Sequence, residues 1–334
     1  MADSADVADR YKGKPEIEIC YGGEADLHKH LVDCTKNPGH LGFIPVKDFT
    51  MDHLPAGYHD DDFFESIQTL IDLTVFIKVY YTSADRPMFA SYFNSQYPAY
   101  DIRGSSVLRT GSGRIWRVYR FNNRRDLSCN CPKCENSTSP SKDFADITII
   151  TVPHVVFDDS EAKHAKCLIN FDGQKSPSVT LEIGRLNCID VERDLCLLTF
   201  VTCDVALIDR LYDKWSRFDK LCVKINKVIK TQADKSDKKT PATFSRKFAD
   251  DQQLTVIVSH PHGCPKQVSV GHSTNKDENE EWTRYTYTTA TCPGSSGAPV
   301  YILEAGEVFM SHLHSGANDR GNYSSAWPWG SDVM

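Results

Sequence analysis

The stretch that decides the fold is Thr289–Tyr301, which reads TATCPGSSGAPVY. Two glycines, Gly294 and Gly297, bracket two serines, and an apolar run that begins at Val300 follows. Glycine lets a backbone bend tightly and approach a ligand closely, so this turn can expose one hydroxyl and aim N–H groups beside it. That is the geometry of a serine nucleophile with an oxyanion hole. An ordinary Gly/Ser turn before a strand is the alternative interpretation.

A serine hydroxyl is a weak nucleophile, and it needs a base that a third group orients. His154 stands just after the apolar run 147–152, and Asp194 stands just before another apolar run. With Ser296 they follow the order histidine, aspartate, serine, which is the chymotrypsin order of a catalytic triad. We therefore predict His154 as general base, Asp194 as its orienting group and Ser296 as nucleophile. The N–H groups of Gly294 and Ser296 are the predicted oxyanion hole.

The spelling around these residues resembles chymotrypsin-fold, trypsin-like serine peptidases, and it is most similar to the HtrA-like members without a PDZ domain. In that family a GSG turn opens a strand, and further strings surround the histidine, the aspartate and the serine. Six short stretches of this chain match the family in the correct order and together cover roughly residues 66–316: Gly111–Gly113, Pro153–Val156, Asp194–Leu198, Ile257–Gly263, Cys292–Pro299 and Gly306–Ser311. Pro153, Ser295 and Ala298 depart from the family spelling, and none of them removes a catalytic group.

The resemblance implies an all-β dominated fold of two six-stranded antiparallel β-barrels, with His154 and Asp194 on the first and Ser296 on the second. The chain is long enough for one such two-lobed domain. The predicted division is an N-terminal extension 1–65, a peptidase domain 66–316 (barrel one about 66–203, connection about 204–250, barrel two about 251–316) and a C-terminal tail 317–334.

Two helices are predicted from local pattern. Asp60–Asp62 precede FFESIQTL, and acidic residues favour the first turn of a helix. Apolar residues follow helical spacing from Val205 to Cys222, with Asp204 as a plausible N-cap. We expect this second helix to pack in the connection between the barrels.

The specificity of the predicted peptidase depends on the residues before the serine and on a later strand. Trypsin-type peptidases have an acid six residues before the nucleophile, where this chain has Ala290. Thr291 and His312 resemble the pair with which glutamyl endopeptidases bind an acidic side chain, and both can donate hydrogen bonds to a carboxylate or a carboxamide. We therefore predict cleavage after Glu, Asp or Gln, with an acid preference that grows as His312 becomes protonated. His314 and Ser315 stand where those families have glycine, which predicts a narrower pocket. In the alternative, His312 packs structurally and the pocket takes small apolar residues.

Three closely spaced cysteines, Cys129, Cys131 and Cys134, lie between the GSG stretch and His154. Thiolates at this spacing can share a structural Zn²⁺ ion, which takes four tetrahedral ligands, so a fourth ligand must come from elsewhere. Free thiols or a disulfide are the alternatives. The triad chemistry itself needs no cofactor.

Composition narrows the class of protein. The net charge of −7 does not indicate a nucleic-acid surface, and the chain has no run of 18 apolar residues that predicts a membrane span. The polar start lacks the apolar core of a signal peptide, so we expect a cytoplasmic protein whose 12 cysteines are mostly reduced. Its partners would be protein or peptide substrates, and its oligomeric state is left open.

Three functions compete at this point. An active serine endopeptidase is favoured because every triad residue type is present. A catalytically weak or inactive peptide-binding scaffold on the same fold, stabilised by a zinc-binding cysteine insertion, is the first alternative. A zinc-dependent binding module rests on the three cysteines alone.

Overall fold

The computed structural model describes residues 13–89, 96–123, 127–233, 253–278, 282–304, 307–309, 312–325 and 327–328. The α-helices in these ranges are α1 (Asp61–Leu73), α2 (Asp159–Lys163) and α3 (Val205–Ala233). The strands are β1 (Lys14–Pro15), β2 (Glu18–Cys20), β3 (Ile44–Pro45), β4 (Thr74–Val79), β5 (Leu108–Asn122), β6 (Asp143–Thr151), β7 (Ala165–Ile169), β8 (Val179–Glu182), β9 (Arg185–Asp190), β10 (Leu195–Thr202), β11 (Gln253–Ser259), β12 (Gln267–Glu278), β13 (Trp282–Tyr287), β14 (Val300–Glu304), β15 (Glu307–Phe309), β16 (His314–Asn318), β17 (Gly321–Ser324) and β18 (Trp327–Pro328). Short 3₁₀ turns occupy Gly23–Asp26, Lys29–Leu31, Pro38–His40, Val46–Asp48, Met51–His53, Ala56–Tyr58, Tyr100–Ile102 and Pro261–Gly263.

The first sheet is antiparallel and has the strand order β8-β7-β4-β5-β6-β10-β9, with β2 paired to β5. Its central strands are rich in β-branched and aromatic residues, as in TVFIKV of β4 and DITIIT at the end of β6. Most side chains of β4, β6 and β10 are buried, which places the core against this sheet. His154 follows the end of β6 and Asp194 precedes the start of β10, and these two strands are paired.

The second sheet is also antiparallel, with the order β1-β16-β17-β13-β12-β11-β14-β15 and with β18 and β3 paired to β13 and β12. Ser296 precedes β14, so the candidate nucleophile meets the candidate base where the two sheets adjoin. The mostly antiparallel β architecture confirms the predicted fold class. The strands form two curved sheets, one of eight strands and one of ten in the described residues.

Both predicted helices form, and an aspartate caps the start of each. Asp60 Oδ1 accepts a hydrogen bond from the Phe63 N–H at 2.9 Å, and Asp204 Oδ1 accepts one from the Leu207 N–H at 3.0 Å. Helix α3 packs its apolar side against α1, because Ile208, Leu211, Phe218 and Cys222 of that side are buried. Residues 234–252 of the predicted connection lie outside the described residues.

Strand pairing differs from the predicted division at both ends. The N-terminal extension contributes strands to both peptidase sheets: β2 pairs in the first sheet, and β1 and β3 pair in the second. Strands β17 and β18 pair with β13 beyond residue 316, so the second sheet extends into the predicted tail. Strands β3, β17 and β18 were not predicted, because they are two to four residues long and owe their pairing to distant partners.

The predicted role of the GSG stretch needs correction. Gly111–Gly113 lie inside β5, where the family resemblance had suggested a strand opening. Among the described residues, the structure has no helix that is both long enough and apolar enough to cross a membrane.

Candidate active site

The structure brings the three predicted triad residues into hydrogen-bonding contact. His154 Nδ1 lies 2.9 Å from Asp194 Oδ1, and His154 Nε2 lies 2.8 Å from Ser296 Oγ. The carboxylate only accepts hydrogen bonds, so Nδ1 carries the proton and Nε2 accepts the serine proton. Ser315 Oγ donates to Asp194 Oδ2 at 2.6 Å, which fixes the second carboxylate oxygen. All three triad side chains are fully buried.

The turn that carries Ser296 is shaped by its two glycines. Gly294 has a φ of +94° and Gly297 a φ of +82°, a region that side-chain-bearing residues avoid. A Cβ on Gly297 would lie 2.2 Å from the Ser112 carbonyl oxygen. The GSG serine locks the turn from the opposite side, because Ser112 Oγ donates to the Gly294 carbonyl at 2.9 Å. The same Oγ accepts from the N–H of His260 at 3.0 Å.

The backbone around His154 is anchored by a buried ion network. Glu161 accepts from Arg86 Nε at 2.6 Å and pairs with Arg109 Nη2 at 2.8 Å. Arg86 also donates to the carbonyl oxygen of His154, and Arg109 donates to that of Val155 at 2.9 Å. Burial opposes ionisation of Glu161, but the charges of Arg109 and Arg86 outweigh it and lower its pKa to about 2. The network therefore holds the histidine turn with a carboxylate that is charged at neutral pH.

The cleft beside the triad is occupied by the chain's own extension. Strand β1 pairs antiparallel with β16, and β2 pairs antiparallel with β5, so residues 14–20 cross from one sheet to the other. At the crossing, the carbonyl oxygen of Glu16 accepts from the Gly294 N–H at 2.7 Å and the Ser296 N–H at 3.3 Å. The N–H of Glu16 lies 2.9 Å from Ser296 Oγ. These two N–H groups are the predicted oxyanion hole, and a peptide carbonyl fills it.

The Glu16 side chain enters a pocket next to the nucleophile turn. Its carboxylate accepts a hydrogen bond from His314 Nε2 at 2.7 Å, and Lys36 Nζ forms a short ion pair with its other oxygen. Lys36 Nζ in turn donates to Thr291 Oγ1 at 3.0 Å and to Asn322 Oδ1 at 2.7 Å. Burial alone would raise the pKa of Glu16, but the hydrogen bond from His314 and the charge and hydrogen bond of Lys36 lower it to about 2.

The histidine in this pocket is neutral. Burial lowers the pKa of His314 despite the neighbouring Glu16 carboxylate. The Tyr287 hydroxyl lies 2.8 Å from His314 Nδ1 and donates to it, which leaves the proton on Nε2 facing the carboxylate. A neutral imidazole held this way can donate to a carboxylate or to a carboxamide oxygen, and the positive charge in the pocket comes from Lys36.

The predicted role of His312 needs correction. Its Nε2 lies 3.1 Å from Thr283 Oγ1, and its Nδ1 donates to the Ser325 carbonyl at 3.2 Å, so the ring is committed to the interior of the second sheet. Burial also lowers the pKa of His312 to about 3, so it is not protonated in the neutral range. His314, two residues further along, takes the place that the sequence interpretation gave to His312. Thr291 faces the pocket as expected, but it reaches Glu16 through Lys36.

The predicted cysteine cluster gains a fourth member. Cys129, Cys131, Cys134 and Cys203 place their sulfur atoms within 4.8 Å of one another. Cys203 follows the end of β10, and its sulfur lies 3.6 Å from that of Cys131 and 3.7 Å from that of Cys134. The N–H of Cys131 points at the sulfur of Cys129 at 3.3 Å. Four sulfurs at this separation can hold a tetrahedral metal ion. Sequence alone gave no reason to choose Cys203, because it lies 69 residues beyond Cys134.

Comparison with protein families identifies the class to which this site belongs. A family model described as "Trypsin-like peptidase domain" matches residues 141–309, which is half of the chain and includes all three triad positions. The chain belongs to the trypsin-like peptidase family. This family consists of serine peptidase-type hydrolases that act on proteins or peptides, so the predicted family and enzyme class are confirmed at this level.

Similar solved structures are HtrA-type and related proteases, at low sequence identity. The inactive form of Rv3671c from M. tuberculosis H37Rv is 10% identical, covers 78% of this chain and 83% of its own, and has a TM-score of 0.36. Its active form is 12% identical over 81% and 82% of the two chains, with a TM-score of 0.37. HtrA-type protease AlgW with a tripeptide is 11% identical over 78% of this chain and 58% of its own, with a TM-score of 0.36. A search of curated proteins by sequence gives no match.

Proposed function

We propose that this protein is a serine endopeptidase that uses Ser296, His154 and Asp194 as its triad and cleaves after an acidic residue. The observation that carries the proposal is the extension in the cleft. A peptide carbonyl, that of Glu16, sits on the N–H groups of Gly294 and Ser296 beside the serine hydroxyl. A peptide-binding scaffold needs no such pair of N–H donors next to a histidine-bonded serine, which favours the enzyme.

The proposed reaction follows from the hydrogen bonds at the triad. His154 Nε2 accepts the Ser296 proton as Oγ attacks the substrate carbonyl carbon, and Asp194 stabilises the imidazolium that forms. The Gly294 and Ser296 N–H groups stabilise the oxyanion, and losing one such donor typically costs about 10²–10³ in rate. His154 then protonates the leaving amine. Water then attacks the acyl-enzyme: His154 takes a proton from the water and returns it to Ser296 as the acyl bond breaks. No cofactor takes part.

The proposed preference is for Glu over Gln at the residue before the cleaved bond. His314 supplies one neutral donor, and Lys36 supplies a cation to the same side chain. An acid with two such partners is bound by charge-assisted hydrogen bonds, which are stronger than neutral ones. The selective charge thus comes from a lysine of the N-terminal extension, 255 residues from Thr291 along the chain.

A peptide library that varies the residue before the cleaved bond tests this proposal directly. Wild-type protein should cut after Glu most efficiently, and Ser296→Ala should cut nothing. Ser295→Ala is the matched control, because this neighbouring serine is equally buried but bonds to Ser259 Oγ and the Cys292 N–H. Preferred cleavage after Lys or Arg, or activity that survives in Ser296→Ala, would show that the assignment is wrong.

The four-cysteine cluster supports a second, structural proposal. A Zn²⁺ ion bound by Cys129, Cys131, Cys134 and Cys203 would tie the loop before β6 to the end of β10. Strand β6 ends just before His154, and strand β10 begins just after Asp194. Such a closed, four-thiolate site has no open position for catalysis, so its role would be to stabilise the first sheet.

A further inference from the structure

We propose a second metal site, built by Cys34, His40, His262 and Cys292, that fastens the N-terminal extension to the nucleophile turn. One ligand atom from each of these residues lies within 4.8 Å of the other three. Two thiolates and two imidazoles at this separation form the tetrahedral S₂N₂ set typical of Zn²⁺. The four ligands come from three separate parts of the chain, so no single sequence motif contains them.

The histidine at position 262 points to a ligand independently of this clustering. Its side chain is nearly fully buried, and its Nδ1 lies 2.7 Å from Glu18 Oε2. Its Nε2 is buried and has no hydrogen-bond partner among the described residues. A buried polar atom without a partner is costly, and a bound cation relieves that cost. A histidine that binds a metal through one nitrogen and a carboxylate through the other is the common arrangement of zinc sites.

Both sulfur atoms also accept hydrogen bonds from N–H groups. The N–H of Asn37 points at Cys34 Sγ at 3.4 Å, and Asn37 Nδ2 donates to Cys292 Sγ at 3.2 Å. Hydrogen bonds from N–H groups stabilise negative charge on sulfur. Cys292 lies two residues before Gly294, and the N–H of His262 donates to the Pro293 carbonyl at 2.6 Å. Both second-sheet ligands are therefore coupled to the oxyanion turn.

The site also explains how Lys36 reaches the substrate pocket. Lys36 lies in the short loop between Cys34 and His40, so a metal held by these two residues presents its ammonium group to Thr291 and Glu16. The ion takes no part in bond cleavage. Its removal should loosen this loop, lower the preference for Glu over Gln and weaken the oxyanion turn.

Metal content tests the site without relying on activity. Protein purified without chelators and titrated with Zn²⁺ should bind two equivalents, and Cys34→Ser and His262→Ala should each remove one. Cys188→Ser, at an exposed cysteine outside both clusters, should keep both. Cobalt substitution adds a second readout, since this site should give about half the thiolate charge-transfer intensity of a four-cysteine site.

Two outcomes would overturn the proposal. In the first, Zn²⁺ content is the same in wild type, Cys34→Ser and His262→Ala. In the second, mass analysis of unreduced protein finds Cys34 joined to Cys292 as a disulfide, because their sulfurs lie 3.5 Å apart. If Cys34→Ser fails to fold, His262→Ala and the cobalt spectrum of wild type still decide the question.

A separate observation, the path of residues 14–20 through the cleft, carries a second proposal. We infer that the enzyme cleaves its own chain between Glu16 and Ile17, which rests on the proposed peptidase function. The segment on the amino side of Glu16 pairs with β16, and the segment after it pairs with β5, as a bound substrate would. The Glu16 carbonyl is held by both oxyanion donors.

The self-cleavage follows the proposed reaction on this bond. Ser296 Oγ bonds to the carbonyl carbon of Glu16 and gives its proton to His154. The carbon–nitrogen bond breaks, and His154 protonates the Ile17 nitrogen. Water then adds to the acyl carbon and returns a proton to Ser296 through His154, which leaves a free Glu16 carboxylate. Release of the segment that ends at Glu16 would then open the pocket.

The mass of the purified chain tests this inference. Wild type should begin at Ile17, and Ser296→Ala and Glu16→Lys should stay uncut at that bond, while Glu24→Gln in the same extension should behave as wild type. The rate of cleavage during refolding should not depend on protein concentration, since the reaction is within one chain. If added glutamyl peptides are cut while the wild-type chain stays intact, self-cleavage is refuted and the proposed function stands. If neither is cut, the proposed function itself is wrong.

Discussion

Replacing Lys36 by methionine tests whether the extension supplies the charge that selects an acidic side chain. Lys36 Nζ pairs with the Glu16 carboxylate and is held by Thr291 Oγ1 at 3.0 Å and Asn322 Oδ1 at 2.7 Å. Methionine keeps an unbranched apolar stem but removes the charge and the donors. His314 remains and donates to a carboxylate or a carboxamide alike, so discrimination between Glu and Gln should fall.

The size of the effect follows from the environment of the ammonium group. A hydrogen bond between charged groups contributes about 1.5–3 kcal/mol. The Lys36 side chain is 32% exposed, so water screens part of the interaction and the lower part of that range, about 1.5–2 kcal/mol, applies. At 1.4 kcal/mol per factor of ten, the ratio of kcat/KM for Glu over Gln should drop about 10–30-fold.

The assay compares two peptides that differ at one position, Lys-Pro-Glu-Ile-Glu-Ile and Lys-Pro-Gln-Ile-Glu-Ile, which copy the chain's own segment. Lys29→Met is the control, because Lys29 lies in the same extension and pairs with Asp26 instead of Glu16. If Lys36→Met folds with unchanged thermal stability and the Glu/Gln ratio moves less than twofold, the charge that selects the acid lies elsewhere.

Four further outcomes are expected. Asp194→Asn should keep the fold and lower kcat by about 10⁴, as loss of the orienting carboxylate typically does, and a loss below tenfold would argue against its role. Cys203→Ser should bind one Zn²⁺ fewer than wild type by elemental analysis, and an unchanged metal content would exclude it as the fourth ligand. Glu161→Gln should lower the free energy of unfolding by about 3 kcal/mol at pH 7. Because the folded pKa of Glu161 is depressed to about 2, this stabilisation is present above the unfolded pKa near 4.5 and is lost as pH falls towards 2. Denaturant unfolding of both proteins should therefore converge at low pH, and a constant difference would contradict the network. Finally, the Glu/Gln ratio of wild type should stay flat from pH 7 to 9, because burial lowers the pKa of His314 and the imidazole is neutral throughout; a steep fall over that range would mean that a protonated histidine selects the acid.

Local sequence pattern predicted the parts of the site whose position depends on short-range backbone physics. Gly294 and Gly297 have positive φ values, which residues with a side chain do not adopt readily. The two glycines therefore predict the turn from the sequence alone. The apolar runs beside His154 and Asp194 become paired strands, β6 and β10, because β-branched residues suit a buried sheet. The two helix starts were also predicted from local sequence, one from the acidic residues at Asp60–Asp62 and the other from Asp204 as N-cap, and in the structure Asp60 and Asp204 both cap free N–H groups.

The parts that were missed depend on contacts between distant residues. Glu16 meets Ser296 across 280 positions, and Lys36 meets Thr291 across 255. A lysine in a polar stretch is usually exposed to solvent, so the sequence around Lys36 gives no sign that its side chain enters a pocket. Cys203 was missed for the same reason, because a single cysteine after a strand has no spacing partner nearby.

The sequence pointed to His312, whereas the structure has His314 in the pocket, and the difference comes from strand register. Residues two apart point to the same face of a strand, so both histidines were candidates, and the family resemblance chose His312. The ranking comes from pairing: His314 exchanges backbone hydrogen bonds with Gly297 and Ala298, whereas the His312 carbonyl accepts from Val300. A rise of about 3.3 Å per residue puts His312 roughly 6–7 Å further from the nucleophile turn, which is beyond the reach of a hydrogen bond. The pocket histidine is thus set by the register between two strands, which pairing in three dimensions decides.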